Sequence, residues 1–309
     1  MIVFVNPRAC GGRAREKWLS LDPVLRRRGR AYSTITLDGE KSLHAAITEA
    51  LAVGEREFVA AGGDGTVNAL VSNLMKCASP QEISEVAVGA IGLGSSNDFH
   101  KPLRRDSIAK GIPTRIEFNS AQYRDVGRVE LKHGGTHDTR YFLVNASAGV
   151  TAGANLFFNH PDHVLQLLKR HSTSAAIFYA AVRTISTFTC QEVTLWSPET
   201  GTVRSLLTNV GVIKNPHFSG SLRYPGKADY ESGKFTVHLC PGMNRAGLIR
   251  LLFALSSGSF DSVPGTRSWP TKALSITSAT PFAVEHDGEV GLASSAVFSI
   301  IPRHLKVCP

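Results

Sequence analysis

A glycine-rich run at residues 60–68, Ala-Ala-Gly-Gly-Asp-Gly-Thr-Val-Asn, constrains this chain more than any other segment. It follows the apolar residues Phe58 and Val59, which end a predicted buried strand, and it precedes a helical pattern over residues 69–75. Glycines at a strand-to-helix turn let the backbone approach a neighbour closely and adopt φ angles that a Cβ atom disfavours. The N–H groups of such a turn, together with the start of its helix, favour an anion such as phosphate.

Asp64 lies between Gly63 and Gly65 and adds a carboxylate to this predicted phosphate site. Two anions make close contact mainly when a cation bridges them, and Mg²⁺ prefers carboxylate and phosphate oxygens. The run therefore predicts a nucleotide phosphate site with Asp64 as a Mg²⁺ ligand. The alternative interpretation is a plain tight turn in which Thr66 caps the following helix.

The first third of the chain alternates strand and helix patterns. This alternation predicts an α/β domain with a mainly parallel sheet, over residues 1–118, whose ligands bind beyond the carboxyl ends of the strands. The predicted strands span residues 2–5, 31–36, 58–61 and 86–91, and the predicted helices span residues 14–28 and 43–53.

From about Ile116 onward, short strand patterns mostly follow one another without helices. Two amphipathic stretches, at residues 174–187 and 245–255, interrupt them. This pattern predicts a β-rich second domain over residues 119–309, an antiparallel sandwich or a barrel-like fold. We expect the last strand, at about residues 300–309, to return to the first domain.

Composition narrows the class of protein. A hydrophobic content of 42% and a charged content of 19% are typical of a globular chain. The five scattered cysteines form no zinc motif and favour a reducing cytoplasm. No segment offers the roughly 18 apolar residues that span a bilayer. The formal charge of +9 favours a polyanionic partner, such as a phosphorylated ligand or an acidic membrane.

Two further turns carry polar side chains next to predicted strands. The turn after the first strand contains Asn6 and Arg8, which suit nucleotide phosphates, although an ordinary turn with exposed arginines has the same composition. The turn at residues 94–99, Gly-Ser-Ser-Asn-Asp-Phe, contains Ser95 and Asp98, and its spacing predicts that it lies beside the first glycine turn. Its Asn97 and Asp98 are also compatible with simple turn capping.

Two carboxylates in the Asp-Gly-Glu segment, Asp287 and Glu289, suit phosphoryl transfer, because one can organise a metal network while the other accepts the proton of a hydroxyl. The same three residues are a common hairpin turn. Asp125 lies between strand-forming residues, where a carboxylate is unusual unless it is paired or bound to metal.

Together these motifs resemble the diacylglycerol kinase catalytic-domain family, which includes sphingosine, ceramide and bacterial lipid kinases. Residues 62–66 resemble its Gly-Gly-Asp-Gly-Thr signature, and residues 94–99 resemble its Gly-Thr-x-Asn-Asp-Phe motif with Ser95 in the Thr position. Residues 287–289 resemble its Asp-Gly-Glu motif, in which the Glu accepts the proton. Ser232 departs from the pattern, because many bacterial members have an Asp there in a structural metal loop.

The resemblance implies an ATP-dependent lipid kinase with ATP and Mg²⁺ in the first domain and the lipid in the second. Glu289 would be the base, and Asp64, Asp98, Asp125 and Asp287 would be further catalytic residues, with Asp64 as metal ligand. The implied nucleotide-binding residues are Asn6, Arg8, Thr36, Gly62, Gly63, Asp64, Gly65, Thr66, Asn68 and Ser95.

Two alternative functions stay open, a soluble kinase of the NAD kinase type and a catalytically silent nucleotide- or membrane-binding protein. The lipid acceptor is also open among diacylglycerol, sphingosine, ceramide and similar lipids. We expect a cytoplasmic protein that binds membranes peripherally through basic clusters at residues 26–30 and 169–171, with no nucleic-acid partner. The oligomeric state stays open, with a homodimer among the states considered.

Overall fold

The computed structural model describes residues 1–27, 29, 31–37 and 40–309. Arg28 and Arg30 of the predicted basic cluster, and Asp38 and Gly39 after Thr36, lie outside the described residues. The chain forms two compact units, residues 1–126 with 303–309, and residues 127–302. The domain limits proposed from the sequence, at 118 and 119, stay a prediction.

The first unit alternates strands and helices. Its elements, in chain order, are β1 (Ile2–Val5), α1 (Ala14–Arg27), β2 (Ser33–Thr36), α2 (Glu40–Ala52), β3 (Glu57–Gly62), α3 (Asp64–Cys77), α4 (Pro80–Glu85), β4 (Ala87–Gly92), β5 (Ile108–Ala109), β6 (Ile112–Arg115) and the first residues of β7 (Gln122–His133).

Four strands of this unit pair in parallel, β1 with β2 and β3, and β3 with β4. Strand β6 is antiparallel to β4. The register aligns the carboxyl ends, because Val5 lies opposite both Thr36 and Ala61, and Gly62 lies opposite Gly92. The turns that follow β1, β3 and β4 therefore emerge at one edge of the sheet, where α/β folds bind their ligands.

The helices of the first unit form because their apolar side chains recur on one face. In α1, Trp18, Leu21 and Leu25 are buried at spacings of three and four residues. They pack in one core with sheet residues such as Val59 and Ile91. This core holds the sheet and fixes where its turns emerge.

The second unit is built mainly from antiparallel strands. Its elements are the rest of β7, β8 (Thr136–Phe142), β9 (Asn145–Gly149), α5 (Val150–Asn159), α6 (His163–His171), α7 (Thr173–Thr187), β10 (Gln191–Ser197), β11 (Gly201–Ile213), β12 (His217–Phe218), β13 (Leu222–Arg223), β14 (Phe235–Pro241), α8 (Arg245–Ser257), β15 (Arg267–Thr271), β16 (Ala273–His286) and β17 (Glu289–Val307), whose last residues belong to the first unit.

The β-rich second part predicted from the sequence is confirmed. Strand β11 pairs with β9, β10 and β14, and β16 pairs with β9, β10 and β17, all antiparallel. The pairs enclose an apolar core that includes Phe142, Val212, Phe235 and Phe298. The end of β17, at Lys306 and Val307, pairs in parallel with β4.

Two helices of this unit were not predicted. The stretches at 174–187 and 245–255 are confirmed as α7 and α8, but α5 and α6 lie between the predicted strands at 141–146 and 193–196, in a stretch to which the sequence assigned no element. Helices of nine or ten residues are marginal by themselves and depend on tertiary packing. Here α5 and α6 both pack against α7, and the Asp162 side chain caps α6 by accepting the N–H of Leu165 at 2.8 Å.

No helix in the described ranges is long and apolar enough to cross a bilayer. All five cysteines are free thiols.

Asp125 fastens the end of the chain to the first unit. Its side chain is buried, with the residue 1% exposed, and its Oδ1 accepts the N–H of Arg303 at 3.0 Å. Arg303 has a φ of 47°, in the left-handed region where β-strand pairing is interrupted. The carboxylate therefore accepts a main-chain donor at a kink of the last strand.

We expect Asp125→Ala to lower the free energy of unfolding by about 1–3 kcal/mol, because a part-buried N–H loses its acceptor. Urea denaturation measures the change. Asp138→Ala is the matched control, since Asp138 is 46% exposed in its ion pair with Arg140 and such pairs contribute less than about 1 kcal/mol. Equal losses in the two variants would contradict this structural role of Asp125.

Candidate active site

The two glycine turns of the first unit are locked together by main-chain contacts. The carbonyl of Gly62 accepts the N–H groups of Leu93, at 2.8 Å, and Gly94, at 3.1 Å. A Cβ atom on Gly94 would lie 2.5 Å from the Cα atom of Gly63, too close for any side chain. The predicted side-by-side arrangement of the turns is therefore confirmed, and it requires glycine at position 94.

Asn97 organises the second turn from within. Its backbone is left-handed, with a φ of 50°, which asparagine tolerates better than most residues. Its Oδ1 accepts the N–H of Gly94 at 3.1 Å, and its Nδ2 donates to the carbonyls of Gly92 and Gly94 at 3.2 and 3.3 Å. The capping role that the sequence left open for Asn97 is what the structure shows.

Asp64 joins the two turns through its side chain. It is the first residue of α3, and its Oδ1 accepts the N–H of Phe99 at 2.8 Å across the interface between the turns. The residue before it, Gly63, is the N-cap and has no side chain to cap the helix. A long helix that begins at glycines without a side-chain cap directs N–H groups and a positive dipole end toward an anion.

Asn6 braces the first glycine turn from the neighbouring strand. Its Nδ2 donates to Oγ1 of Thr66 at 3.1 Å, and its Oδ1 accepts the N–H of Arg8 at 3.0 Å. Thr66 does not cap α3, because Gly63 is the N-cap and Thr66 lies inside the first turn, where its N–H donates to the Gly63 carbonyl at 2.9 Å. Any Cβ at Gly62 would collide with the Thr66 side chain, so glycine is required there too.

The remaining predicted nucleotide residues lie at or near this edge of the sheet. Thr36 is the last residue of β2 and is exposed, and Arg8 and Ser95 are exposed on the turns after β1 and β4. Asn68 is buried in α3, where its Oδ1 accepts the Ser72 hydroxyl at 3.4 Å. Except for Asn68, these residues are accessible to a ligand.

Two lysines that were not among the predicted site residues contact the second glycine turn. The Nζ of Lys17, on α1, lies 3.4 Å from each of the carbonyl oxygens of Leu93 and Gly94. The Nζ of Lys101 lies 2.7 Å from Oδ1 of Asp98, which is buried. Sequence reasoning missed both lysines: the tertiary fold brings Lys17 to the second turn, whereas Lys101 is only three residues from Asp98 and its spacing could have indicated the pair.

The described residues include no group of three or more His, Cys, Asp or Glu side chains that could hold a metal by themselves. Mg²⁺ in nucleotide enzymes is commonly bound by one or two carboxylates together with phosphate oxygens. Asp64, on a turn whose glycines leave room for a ligand, is a donor of that kind. The residues at the first turn therefore fit a nucleotide-borne Mg²⁺.

In the second unit, the Asp-Gly-Glu segment forms a tight hairpin between β16 and β17. His286 pairs with Glu289, and the two residues between them, Asp287 and Gly288, have φ values of 45° and 92°. Two consecutive positive φ angles are typical of a type I′ turn, for which Asp-Gly is a favoured pair. The hairpin leaves the Glu289 residue exposed at the start of β17.

Asp287 and Glu285 hold this hairpin in place. The Asp287 carboxylate is buried and accepts the N–H groups of Leu143, Val144 and Asn145 at 2.7, 3.0 and 2.9 Å. The Glu285 carboxylate accepts the N–H of Gly288 at 2.7 Å and the Ser147 hydroxyl at 2.9 Å. These contacts hold the backbone of the hairpin from which Glu289 projects.

The loop around Ser232, where this sequence departs from the family pattern, is stabilised by hydrogen bonds of nearby residues. Oδ1 of Asp229 accepts the N–H groups of Glu231 and Ser232 at 3.3 and 3.1 Å. The Nζ of Lys214, which is buried, donates to the Lys234 carbonyl at 2.6 Å. An ammonium group and an Asp-centred turn thus stabilise this loop.

The second unit also contains a cavity of about 390 Å³ beside α5 and α7. Its walls combine apolar side chains with hydroxyl, amide and guanidinium groups, as ligand pockets commonly do. The lining residues are Gly149, Gly153, Phe157, Arg183, Thr184, Thr187, Phe188, Thr189, Gln191, Leu207, Pro281, Phe282 and Ala283.

Comparisons with known proteins agree with these features. The diacylglycerol kinase catalytic domain family matches residues 1–129, and the YegS C-terminal NAD kinase beta sandwich-like domain family matches residues 145–309. A diacylglycerol kinase of Staphylococcus aureus is 24% identical over 286 residues, 90% of this chain and 81% of that protein. One from Staphylococcus haemolyticus is 23% identical over 252 residues, 81% of this chain and 70% of that protein.

Solved structures show the same fold at lower identity. The crystal structure of a diacylglycerol kinase from Bacillus anthracis superposes with a TM-score of 0.67 at 14% identity, over 99% of this chain and 95% of that one. A second crystal structure from the same strain gives a TM-score of 0.73 at 16% identity, over 99% and 96%.

The paired glycine turns and the two family matches define an enzyme that transfers phosphoryl groups, a kinase. More particularly, the chain belongs to the diacylglycerol kinase catalytic-domain family of lipid kinases, as the motifs in its sequence indicated.

His100 lies directly after the second turn and is buried, and neither of its ring nitrogens has a hydrogen-bond partner among the described residues. Burial lowers the pKa of His100 to about 3, and the nearby positive charge of Arg115 acts in the same direction. The imidazole is therefore neutral in the folded protein. In the unfolded chain it titrates near its ordinary value of about 6.5.

We expect the free energy of unfolding to fall as the pH drops below about 6.5, because the unfolded chain then binds a proton that folded His100 rejects. One such group contributes a slope of at most about 1.4 kcal/mol per pH unit down to the folded pKa. Urea denaturation between pH 7 and 5 should show a shallower pH dependence for His100→Leu than for the natural protein. Identical slopes would contradict a neutral, buried His100.

Proposed function

We propose that this protein transfers the γ-phosphoryl group of ATP to the hydroxyl group of a lipid. The observation that carries the proposal is the position of Asp64. This carboxylate begins α3 on a glycine turn that is locked to a second glycine turn, at the carboxyl edge of the strands. Such an arrangement binds phosphate through main-chain N–H groups and places one anion beside it for a metal.

The first unit supplies the nucleotide site in this proposal. The N–H groups at Gly63 and Gly65 face the phosphates, and the exposed Arg8, Thr36 and Ser95 add a cation and two hydroxyl groups at the same edge. Gly62, Thr66 and Asn6 act through the shape of the turn, which their mutual contacts maintain. Asn68 supports α3 from the buried side.

Asp64 would hold Mg²⁺ together with the nucleotide phosphates. When bound, the ion neutralises the charge that spreads over the transferring group. Asp64 keeps its orientation because Phe99 donates to one of its oxygens. Asp98, whose carboxylate is paired with Lys101, lies next to Phe99 on the second glycine turn. It therefore positions the Phe99 N–H that Asp64 accepts.

Glu289 is the proposed base. The lipid hydroxyl oxygen forms a bond to the γ-phosphorus, the bond between that phosphorus and the ADP oxygen breaks, and the hydroxyl proton passes to the Glu289 carboxylate. The hairpin presents this side chain on a rigid turn, because Asp287 is fixed by three N–H groups. Asp287 therefore acts as a positioning residue in this proposal, whereas Asp125 accepts the N–H of Arg303 in the first unit.

Two observations support a lipid as the acceptor: the family to which the chain belongs and the cavity in its second unit. The cavity beside α5 and α7 has an apolar side, with Phe157, Leu207 and Phe282, and a polar side that includes Arg183 and Gln191. This combination suits a molecule with an acyl chain and a polar head. Diacylglycerol is the acceptor named for the relatives, and sphingosine or ceramide would fit the same description. The protein would meet this lipid as a peripheral membrane protein.

We expect Asp64→Asn to reduce phosphoryl transfer by at least about 10³-fold, because a lost metal ligand removes several kcal/mol of charge stabilisation in the transition state. The fold should persist, since the Asn oxygen can still accept the Phe99 N–H. The assay is radiolabelled ATP with a panel of lipids in mixed micelles, with circular dichroism as the folding control. A folded Asp64→Asn protein with full turnover would sink the metal assignment.

We expect Glu289→Gln to lower kcat by at least about 10²-fold, the usual loss for a general base, with the KM for ATP nearly unchanged. Asp287→Asn is the comparison: it should mainly lower the melting temperature, because an Asn NH₂ group cannot accept the main-chain donors that Asp287 binds. If Glu289→Gln keeps its kcat while a folded Asp98→Asn protein is inactive, the base lies on the second glycine turn instead.

A further inference from the structure

A buried lysine lies at the loop of residues 229–234, where this sequence departs from the family pattern. Lys214 follows directly after β11 and is only 1% exposed. Because Ile213 pairs with Thr236 of β14, Lys214 lies beside the residues that lead into β14, and its Nζ donates to the Lys234 carbonyl at 2.6 Å. A lysine is seldom buried to this extent unless polar partners match its charge. The loop therefore contains a fixed ammonium group.

The main chain and the charges of this loop are matched to Lys214. The Lys214 carbonyl accepts the N–H of Asp229 at 2.8 Å, so the two residues are close neighbours. Burial alone would raise the pKa of the Asp229 carboxyl group, but hydrogen bonds from Ser232 and the positive charge of Lys214 lower this pKa overall. The ammonium group thus favours the ionised form of the Asp229 side chain.

The ammonium group also lies close to position 232, where many bacterial members of the family have an Asp in a structural metal loop. Oγ of Ser232 is 3.5 Å from the carbonyl oxygen of Lys234, the same oxygen that the Lys214 ammonium contacts. Two oxygens that share one Mg²⁺ lie about 3 Å apart, because each is about 2.1 Å from the ion in an octahedral arrangement. An ion bound at position 232 would therefore compete with the ammonium for the Lys234 carbonyl.

The residues present do not fit a divalent ion at this loop. The Ser232 hydroxyl is neutral, and Oδ1 of Asp229 already accepts the N–H groups of residues 231 and 232. In the ranges that the structure describes, no three His, Cys, Asp or Glu side chains are grouped to hold a metal. An ion on the Lys234 carbonyl would also lie within about 5 Å of the Lys214 ammonium, and like charges repel strongly at that distance in a buried site.

We propose that the Lys214 ammonium takes the place of a divalent cation in this loop, which is therefore stable without a bound metal. The loop has a neutral hydroxyl where the family pattern has a carboxylate, and it has an ammonium group on the neighbouring carbonyl oxygen. This positive charge is attached to the chain, so a chelator cannot remove it. The inference does not depend on the lipid acceptor, and it confines Mg²⁺ to the nucleotide site.

Main-chain hydrogen bonds connect this loop to the proposed base. The N–H groups of Lys214 and Asn215 donate to the Val144 carbonyl at 3.0 and 2.8 Å, and the Val144 N–H donates to the Asp287 carboxylate at 3.0 Å. Asp287 in turn holds the hairpin from which Glu289 projects. A cation that belongs to the chain therefore maintains this support at any concentration of Mg²⁺.

Thermal unfolding of the full chain without nucleotide, in EDTA or in excess Mg²⁺, tests the inference. We expect the natural protein to melt at the same temperature in both solutions. Lys214→Met should lower the melting temperature by at least about 2 °C, because the Lys234 carbonyl loses its donor. Lys227→Met, which removes an exposed lysine two residues before Asp229, is the matched control and should melt like the natural protein. A rise with Mg²⁺ that persists in Asp64→Asn would overturn the inference.

An exchange variant, Lys214→Met with Ser232→Asp, tests whether the ammonium and an ion share one place. In EDTA it should melt below the natural protein, and Mg²⁺ should restore most of the loss, because the new carboxylate and the Lys234 carbonyl can then bind the ion. Ser232→Asp alone keeps the ammonium and should show no response to Mg²⁺. A folded exchange variant that ignores Mg²⁺, or an equal response of Ser232→Asp, would contradict the shared place.

These measurements stay distinct from the kinase proposal, because none of them uses phosphoryl transfer. A protein that phosphorylates no lipid would still show whether its loop needs a metal. The comparison of EDTA with Mg²⁺ on the natural protein also decides the inference if the methionine variants fail to fold.

Discussion

The contact between the Gly62–Gly63 backbone and the Leu93–Gly94 backbone is the constraint on which the first unit's site depends. One carbonyl oxygen, on Gly62, accepts two N–H groups from the other turn. The Cα atom of Gly63 lies where any side chain at position 94 would have to go. Because both turns follow strands of the same sheet, the parallel register brings them together, and the glycines let them meet.

That contact also determines the role of Asp64. The carboxylate reaches the second turn and accepts the Phe99 N–H, so its orientation depends on both turns at once. Lys101 and Lys17 add positive charge around the same backbone, one through Asp98 and one through the carbonyls of residues 93 and 94. A carboxylate that is held by main-chain hydrogen bonds loses little freedom when it binds a metal, which is the physical advantage of preorganisation.

The carboxylates near the Asp-Gly-Glu hairpin differ in their burial. Asp287 and Glu285 are buried and accept several hydrogen bonds each, whereas the neighbouring Glu289 residue is exposed. A buried carboxylate without such donors would be strongly destabilising, so these contacts are a condition for its presence. The buried carboxylates fix the backbone of the hairpin from which Glu289 projects.

Sequence alone determined the family, the two glycine turns, the β-rich second part and the positions of α7 and α8, because glycine spacing and hydrophobic periodicity are local properties of the chain. It did not show that Asp287 accepts N–H groups from residues 143–145, or that Asp125 accepts the N–H of residue 303, since such contacts have no linear signature. It also missed α5 and α6, whose formation depends on packing against α7. The contact of Lys17 with the second glycine turn likewise follows from tertiary structure, because long-range packing decides which side chains meet.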